Sequence, residues 1–325
     1  MGYKGTLRSL EATMRAAERD SKRRQREFEN REKQLQKMQE LERAKFEVDQ
    51  YENDLEVKTS LHKEITGYNW NDIGHIEKPV EPLYLKNREE KARYALDTYK
   101  PRFIDKIFKK EEKKIEKMKI ELKNAMLYDK NEYDENYETW QKKLEEYENL
   151  HAIYLRISSG DRTAFKTWVD LSSPFEEIEA LGTSIEIDYM SDSIKVYIDT
   201  CPIDIIPQVS KSLLKSGKLS EKSMSASKRN ALYQNYVASE SIRVARELFE
   251  MIPVNEVVIN TKMNLLNKST GYHENCIILS VFYVRETLKK INYELIVPSE
   301  ALSNFIHNIN FNKTTGFDAV DAIEK

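Results

Sequence analysis

The sequence predicts an α+β protein in which a long helical, coiled-coil region precedes a compact antiparallel sheet with helices on one face. Charged residues make up 33% of the 325 residues, yet 40% are hydrophobic, which is typical of long solvated helices beside a packed core. Nine glycines and eight prolines are too few for long flexible linkers. Apolar residues follow helical spacing to about residue 157 and strand alternation after it.

These observations divide the chain into two regions. We expect coiled-coil helices over residues 1–157, with a connection at 66–85, and an α+β domain over residues 158–325.

The first helix is predicted from a heptad repeat of apolar residues. Its a positions are Leu7, Met14, Ser21, Phe28 and Leu35, and its d positions are Leu10, Ala17, Arg24, Arg31 and Met38. After a step of three residues, a second seam runs through Leu41, Ala44, Val48, Tyr51 and Leu55. Such a shortened step locally overwinds a coiled coil. A helix over residues 5–65 would be ~90 Å long.

The second long helix is predicted from Arg102 to Ile157, after the connection and after Pro101. Its seam consists of Ile104, Phe108, Ile115, Met118, Leu122 and Ala125, and then of Tyr133, Tyr137, Trp140, Leu144, Tyr147, His151 and Tyr154. Residues 1–45 carry 13 Lys and Arg against 8 Asp and Glu, whereas residues 127–150 carry 8 acids against 3 lysines. The charges favour an antiparallel hairpin of the two helices, and pairing of each helix with a second copy remains open.

The C-terminal region alternates strands and helices. Asp161 or Ser159 is expected to cap a short helix, Ser184–Asp199 predicts a β-hairpin, and Val254–Val284 predicts a second one. Between the hairpins, residues 227–252 predict a helix that buries Tyr233, Val237, Val244, Ala245, Leu248 and Ile252, with Glu240, Arg243, Glu247 and Glu250 mostly off that stripe. A last helix is expected to begin at Ser299 and to carry Leu302, Phe305 and Ile306.

The stretch Leu213–Arg229 contains Lys-Ser-Gly-Lys but does not form a phosphate-binding loop. Gly217-Lys218 has serine instead of glycine five residues earlier and leucine after the lysine. The remaining signal is charge, which favours a solvated connection over phosphate contacts. The candidate nucleic-acid-binding residues are Lys211, Lys215, Lys218, Lys222, Lys228 and Arg229 here, and Lys22, Arg23, Arg24 and Arg26 in the first helix.

The catalytic motifs that we searched for are missing from the sequence, so we predict no catalytic, cofactor-binding or metal-binding residues and no cofactor. Histidines and the two cysteines, Cys201 and Cys276, lack the spacing of a metal site or a disulfide framework. Asp188 and Asp199 could make a weak metal site on the first hairpin, and His273 lies beside Glu274 in an expected loop. An enzyme with an unrecognised site is therefore a minor alternative.

Two patches resemble known proteins. The N-terminal MGYKGTLRSLEATMRAAERDSKRRQRE is similar to the start of uncharacterised bacterial coiled-coil proteins. The stretch ALYQNYVASESIRVARELFE, with the strand pair around NKSTGYHEN and CIILSV, resembles a domain that accompanies restriction-endonuclease-like modules. The resemblance implies a bacterial setting in phage defence. It transfers no functional residue.

The leading hypothesis is an interaction or scaffold protein that assembles through its coiled-coil helices, as a homo-oligomer or with a protein partner. The alternative is a nucleic-acid-binding accessory protein that does not read sequence. With no run of about 18 apolar residues and no signal-peptide pattern, we expect a cytoplasmic protein with no membrane partner.

Overall fold

The computed structural model describes residues 3–101, 111–190, 193–267 and 269–324, with side chains from residue 29 onward. It confirms the predicted fold class, because long helices precede a mostly antiparallel sheet with helices. The helices are α1 (Tyr3–Thr59), α2 (Trp70–Ile73), α3 (Asn87–Asp97), α4 (Glu111–Ser158), α5 (Arg162–Ser172), α6 (Glu176–Glu179), α7 (Ala226–Met251), α8 (Arg285–Leu288) and α9 (Pro298–Ala301).

The strands form a large sheet and a separate hairpin. They are β1 (Ser184–Tyr189), β2 (Ile194–Asp199), β3 (Val209–Leu213), β4 (Leu219–Ser223), β5 (Glu256–Leu266), β6 (His273–Val284), β7 (Ile306–Asn312) and β8 (Gly316–Asp318). The sheet order is β1-β2-β5-β6-β7-β8, and β3 pairs with β4 alone. The pair β2–β5 is parallel because α7 returns the chain to the same end of the sheet, and the other pairs are antiparallel.

The chain divides into two compact units. The first contains Met1–Thr66, Pro174–Phe249 and Val254–Lys325, and the second contains Gly67–Ser173 and Glu250–Pro253. Each unit gathers segments that are distant along the chain, and the predicted boundary after residue 157 stays a prediction.

In the first unit, α7 and the sheet form the core. The predicted stripe on α7 is confirmed, since Tyr233, Val237, Val244 and Leu248 are buried. Each fully buried side chain of this size contributes about 1.5–3 kcal/mol relative to exposure. The Tyr233 hydroxyl donates to the Cys201 carbonyl at 2.7 Å, so the polar end of this core side chain is also satisfied.

The last predicted helix is shorter than expected, since a helical turn over Pro298–Ala301 and a 3-10 turn over Leu302–Asn304 end before Phe305 and Ile306. Val297 precedes the single turn α9, and Ser299 makes no side-chain cap. Residues 306–312 form β7 instead, whose backbone pairs with β6 from Ile306 to Ile309. Ile306 is therefore 67% exposed on a strand, because pairing with the neighbouring strand outweighs a short helical spacing of apolar residues.

In the second unit, residues 67–97 run antiparallel along α4. The Trp140 indole donates to the Pro79 carbonyl at 3.1 Å, and the rings of Tyr84 and Tyr133 meet edge to face. The described seam residues of α4, from Ile115 to Tyr154, are half-buried as predicted. Ile104, Phe108 and the predicted start at Arg102 lie outside the described residues.

Asp129 lies in a gap of this α4 seam and holds α3 in place. Its carboxylate accepts from the backbone N–H groups of Arg88 and Glu89 at 3.0 and 2.8 Å, which caps the first turn of α3. Although burial raises the pKa of Asp129, the hydrogen bonds from Glu89 and Arg88 outweigh it and lower the pKa overall. At the start of α5, Asp161 caps Thr163 as predicted, and this bonding lowers the pKa of Asp161 to about 2.

Candidate functional site

The exposed segment of α1 comprises residues 29–40, and all twelve of its residues are exposed. Leu35 and Met38 occupy heptad core positions, yet they are 56% and 57% exposed. Apolar side chains at core spacing are normally covered by a second helix or a sheet. Within the part of the chain that the structure describes, nothing covers these two side chains, so they are available to another polypeptide.

The helix becomes covered beyond the exposed segment. Ala44 and Val48 are buried, and Leu41, Tyr51 and Leu55 are half-buried, so the second predicted seam is confirmed. This face packs against the hairpin of β3 and β4. One helix thus has an exposed segment, residues 29–40, and a stretch from Leu41 onward that packs on its own unit.

The hairpin fits α1 through its turn. Gly217 has φ of +79°, in the region that favours glycine, and a Cβ there would lie 2.9 Å from Leu41 Cδ2. Lys211 on β3 makes ion pairs with Glu47 of α1 at 3.1 Å and with Glu221 of β4 at 3.4 Å. The hydrogen bond to Glu47 raises the pKa of Lys211, and the same contact lowers the pKa of Glu47.

The predicted solvated connection over residues 211–229 is wrong as a description of structure. It forms β3, a turn, β4 and the first turn of α7, with Lys211 opposite Glu221 in register. The strand signal was weak because lysine and serine alternate with few apolar residues. Backbone pairing and the contact with α1 stabilise the hairpin instead.

The structure divides the six cations of this stretch into two groups. Lys211 binds carboxylates, and Arg229 donates to the carbonyls of Ile203 and Ile206 and to Asp204. The other four are exposed and make no ion pair among the described residues: Lys215, Lys218, Lys222 and Lys228. The remaining candidate cations, Lys22, Arg23, Arg24 and Arg26, lie on α1, but their side chains are outside the described residues.

The anchor segment, residues 61–66, follows α1 and is bound by polar side chains of α7. The backbone N–H of His62 donates to Ser239 Oγ at 2.9 Å. Arg246 donates to the carbonyl oxygen of His62. Thr66 donates through its N–H and its hydroxyl to the Glu247 carboxylate at 2.7 and 2.8 Å. These bonds fix the end of α1 to the central helix of the first unit.

His62 is buried in this anchor as a neutral ring. Its Nε2 lies 3.1 Å from the Tyr293 carbonyl, which can only accept, so Nε2 carries the hydrogen. Its Nδ1 then accepts from Ser239 Oγ at 2.8 Å. Burial lowers the pKa of His62, which keeps the ring neutral near pH 7.

A buried ion pair lies beside the anchor segment. Arg243 is 2% exposed and Glu247 is fully buried, and Arg243 Nε donates to Glu247 Oε1 at 2.9 Å. Arg243 also donates to Glu177 at 3.2 Å and to the Leu61 carbonyl at 3.4 Å. The opposite charges of Arg243 and Glu247 therefore compensate each other. Arg243 also connects α7 to Glu177 and to the anchor segment.

The expectation that Glu240, Arg243 and Glu247 lie off the buried stripe is wrong, since all three are buried, while Glu250 is half-buried. A signal was present in the sequence. Residues 236–249 carry apolar or small side chains on every side, and a helix that is apolar all round is buried all round. Its charged residues then need partners inside the protein.

Glu240 has no cation beside it among the described residues. Thr183 Oγ1 and the Tyr236 hydroxyl donate to its Oε1 at 2.6 and 3.1 Å, and its Oε2 has no hydrogen-bond partner among the described residues. Burial raises the pKa of Glu240, against the opposing effect of these hydrogen bonds. Glu240 is fully buried within α7, so we assign it to the core.

The catalytic alternatives gain no geometric support. Asp188 pairs in register with Lys195, and Asp199 pairs with Ser184, so the two carboxylates lie four residues apart along β1, roughly 13 Å. A shared metal site at Asp188 and Asp199 is therefore wrong. Asp192 lies outside the described residues, which contain no cluster of three metal-ligating side chains. His273 is the exposed first residue of β6 rather than part of a loop.

Comparisons with known proteins identify no relative of this chain. No protein-family model, no curated protein and no solved structure matches this chain. Among the described helices, none contains a stretch both long and apolar enough to span a bilayer.

Proposed function

We propose that this is a non-catalytic interaction and scaffold protein that assembles through α1. The observation that carries the proposal is the exposed segment, where Leu35 and Met38 occupy heptad core positions with no covering surface among the described residues. A helix in a protein gains most of its stability from packing its apolar face against other elements. Among the described residues, the exposed segment lacks such packing. Pairing with a helix of another chain supplies it.

The anchor segment gives this helix a fixed base. The bonds from Ser239, Arg246 and Glu247 hold the chain directly after α1, while β3 and β4 support the helix from Leu41 onward. A partner bound along the exposed segment is therefore attached to the core of the first unit by a rigid element. Such a connection is what a scaffold requires.

The test compares two double variants of the full chain. Leu35→Asp with Met38→Asp places two carboxylates in the seam, and Lys33→Ala with Lys37→Ala changes the net charge by the same amount at exposed non-core positions. Light scattering over a range of concentrations gives the mass in solution, and affinity capture with each variant gives the bound proteins. We expect an oligomer or a captured partner that the seam variant loses and the lysine variant keeps.

Two results contradict the proposal. One is a natural chain that stays monomeric at every concentration and captures the same proteins as each of the two double variants. The other is equal loss of assembly in both double variants, because that would assign the effect to charge rather than to the apolar seam.

Binding of nucleic acid by the hairpin is a second candidate function. The observation that favours it is the exposure of Lys215, Lys218, Lys222 and Lys228, none of which is ion-paired among the described residues. Four phosphate contacts predict that the logarithm of the affinity falls with the logarithm of salt concentration with a slope of about −3 to −4. Replacement of all four by alanine should abolish the binding of a short DNA duplex, and replacement of Lys211 should not.

For the cellular setting, we propose the one that the resemblance implies, a complex in bacterial defence. Co-purification from a bacterial host, with and without phage infection, tests it. A partner set unrelated to defence and unchanged by infection would remove this setting without touching the scaffold proposal.

A further inference from the structure

We infer that the second unit carries an interaction surface of its own, the proline segment of residues 77–86, which binds an aromatic-lined groove on another protein. This surface is distinct from the exposed segment of α1, because every residue that forms it belongs to the second unit. Three observations support it: a three-residue period of exposure, two prolines that oppose strand pairing, and two aliphatic side chains that are almost fully exposed.

The proline segment is extended, and its exposure repeats every three residues. It lies wholly among the described residues and forms neither helix nor strand. Pro79 and Pro82 are half-buried, whereas the residues on both sides of each proline are exposed. A repeat of three is the period of a polyproline II helix, while an α-helix repeats at 3.6 residues and a strand at two. The two prolines therefore form the covered line of an extended helix of this type.

A second line of side chains on the proline segment is exposed. It consists of Glu77, Val80, Leu83 and Lys86, which lie three residues apart. Val80 is 89% exposed and Leu83 is 80% exposed, so no described residue covers them. Three residues of a polyproline II helix rise about 9 Å. Val80 and Leu83 thus form an aliphatic ridge with a negative charge at one end and a positive charge at the other.

The chemistry of the ridge selects the class of partner. A convex apolar ridge is buried well only by a concave surface, and aromatic-lined grooves bind polyproline II segments in this way. Addition of a strand is disfavoured, because Pro79 and Pro82 lack the N–H groups that a β-ladder needs. Nucleic acid is also disfavoured, because the centre of the ridge is aliphatic and carries no cation. The groove should carry a cation opposite Glu77 and an anion opposite Lys86.

The proline segment is held on α4 before a partner binds. The Trp140 indole donates to the Pro79 carbonyl at 3.1 Å, and the ring of Tyr84 meets the ring of Tyr133 edge to face. A segment that is already fixed in an extended conformation loses little conformational entropy when it binds, which favours affinity.

A cavity of about 300 Å³ lies directly beside the ridge. Its lining includes Leu83 and Leu85 of the proline segment and Glu132 and Tyr133 of α4. A side chain at the margin of the partner's groove fits into this cavity, which extends the interface beyond the ridge.

Site-specific photo-crosslinking in the full chain tests this surface. Photoreactive benzoylphenylalanine replaces Val80 or Leu83 in turn, and it replaces Tyr94, which is 71% exposed on α3 of the same unit, as the control. Each form is irradiated in a lysate of the cells that produce the protein, and mass spectrometry identifies the crosslinked protein and the crosslinked residues. We expect one protein to be crosslinked from positions 80 and 83 but not from position 94, at residues within an aromatic-lined groove.

The purified pair then gives the contribution of the ridge to the affinity. Val80→Asp with Leu83→Asp should weaken binding about tenfold or more, because both aliphatic side chains lose their apolar contacts. Tyr94→Asp should leave the affinity unchanged. Circular dichroism checks that both variants fold, which the exposure of the replaced residues favours.

Three results would overturn the inference: no protein crosslinked from positions 80 and 83 above the Tyr94 control, crosslinks to a second copy of this chain, or crosslinks to the edge strand of a sheet. Unchanged affinity in the ridge variant would do the same. The variant Leu35→Asp with Met38→Asp should keep this partner, so failure of the scaffold proposal and failure of the ridge are distinguished.

Discussion

Helices α1 and α7 are both long and charged, yet they use their charges in opposite ways. Along the exposed segment of α1, charged residues surround a sparse apolar seam and the whole stretch is exposed. Along α7, Arg243, Glu247 and Glu240 are buried within the first unit. In these two helices, a charged residue is exposed where the residues around it in the helix are mostly polar, and it is buried where they are mostly apolar or small.

The same comparison indicates that the two helices have different roles. The buried polar residues of α7 bind the anchor segment with directional hydrogen bonds, which fixes the C-terminal end of α1 to the unit. The exposed segment, in contrast, presents apolar side chains at heptad core positions that are exposed rather than packed on its own unit. In the proposed scaffold, α7 therefore supports α1, although α7 itself is buried.

The largest effect should come from breaking the buried ion pair. Arg243→Ala leaves the carboxylate of Glu247 buried without its cation, which typically costs about 3–5 kcal/mol of unfolding free energy. Chemical denaturation measures the loss. The matched control is Arg43→Ala, which removes an exposed partner of Glu47 at the same i, i+4 spacing and should cost less than about 0.5 kcal/mol. Similar losses of unfolding free energy in the two variants would mean that the buried ion pair of α7 stabilises the protein no more than the exposed ion pair of α1.

Much of this contrast could be predicted from the sequence, but not all of it. Helical spacing predicts α1, the seam of α4 and the buried stripe of α7, because apolar periodicity is a local signal. Strand β7 and the β3–β4 hairpin were missed, since their pairing depends on neighbours distant in the chain. The anchor segment could not be predicted, because it joins residues 61–66 to α7 across about 180 positions.

The candidate site shows the same limit. Leu35 and Met38 were assigned to heptad core positions, and the structure adds that they are exposed. In contrast, His62 and Ser239 carry no sequence signal, because a single histidine and a single serine have no periodicity. Their pairing is a property of the tertiary structure.

A smaller effect should follow from removing the hydroxyl that binds the anchor segment. Ser239→Ala deprives the buried N–H of His62 and its Nδ1 of their partner, which should cost about 1–3 kcal/mol. Hydrogen exchange of residues 61–66 should accelerate more than exchange in the sheet. The control is Ser303→Ala, whose hydroxyl makes one exposed bond to a carbonyl. Unchanged exchange in the anchor segment would show that other bonds are sufficient to hold it.

The effect that depends most on pH concerns Glu240. Burial raises its folded-state pKa above the unfolded value, so the neutral form favours folding. Its contribution is complete below the unfolded pKa of about 4.3 and is lost as pH rises through the folded pKa. Glu240→Gln stays neutral at every pH. The variant should therefore gain stability relative to the natural chain with rising pH, by roughly 1 kcal/mol for each unit of pKa separation.

The experiment is a series of denaturation curves between pH 4 and pH 9 for both forms. The amide can still accept from Thr183 and Tyr236, so a constant offset between the two curves measures changes in hydrogen bonding alone. A difference that grows with pH measures the buried carboxyl. If the difference stays constant across this range, Glu240 is charged in the folded protein, and its hydrogen bonds then stabilise a carboxylate that has no cation beside it.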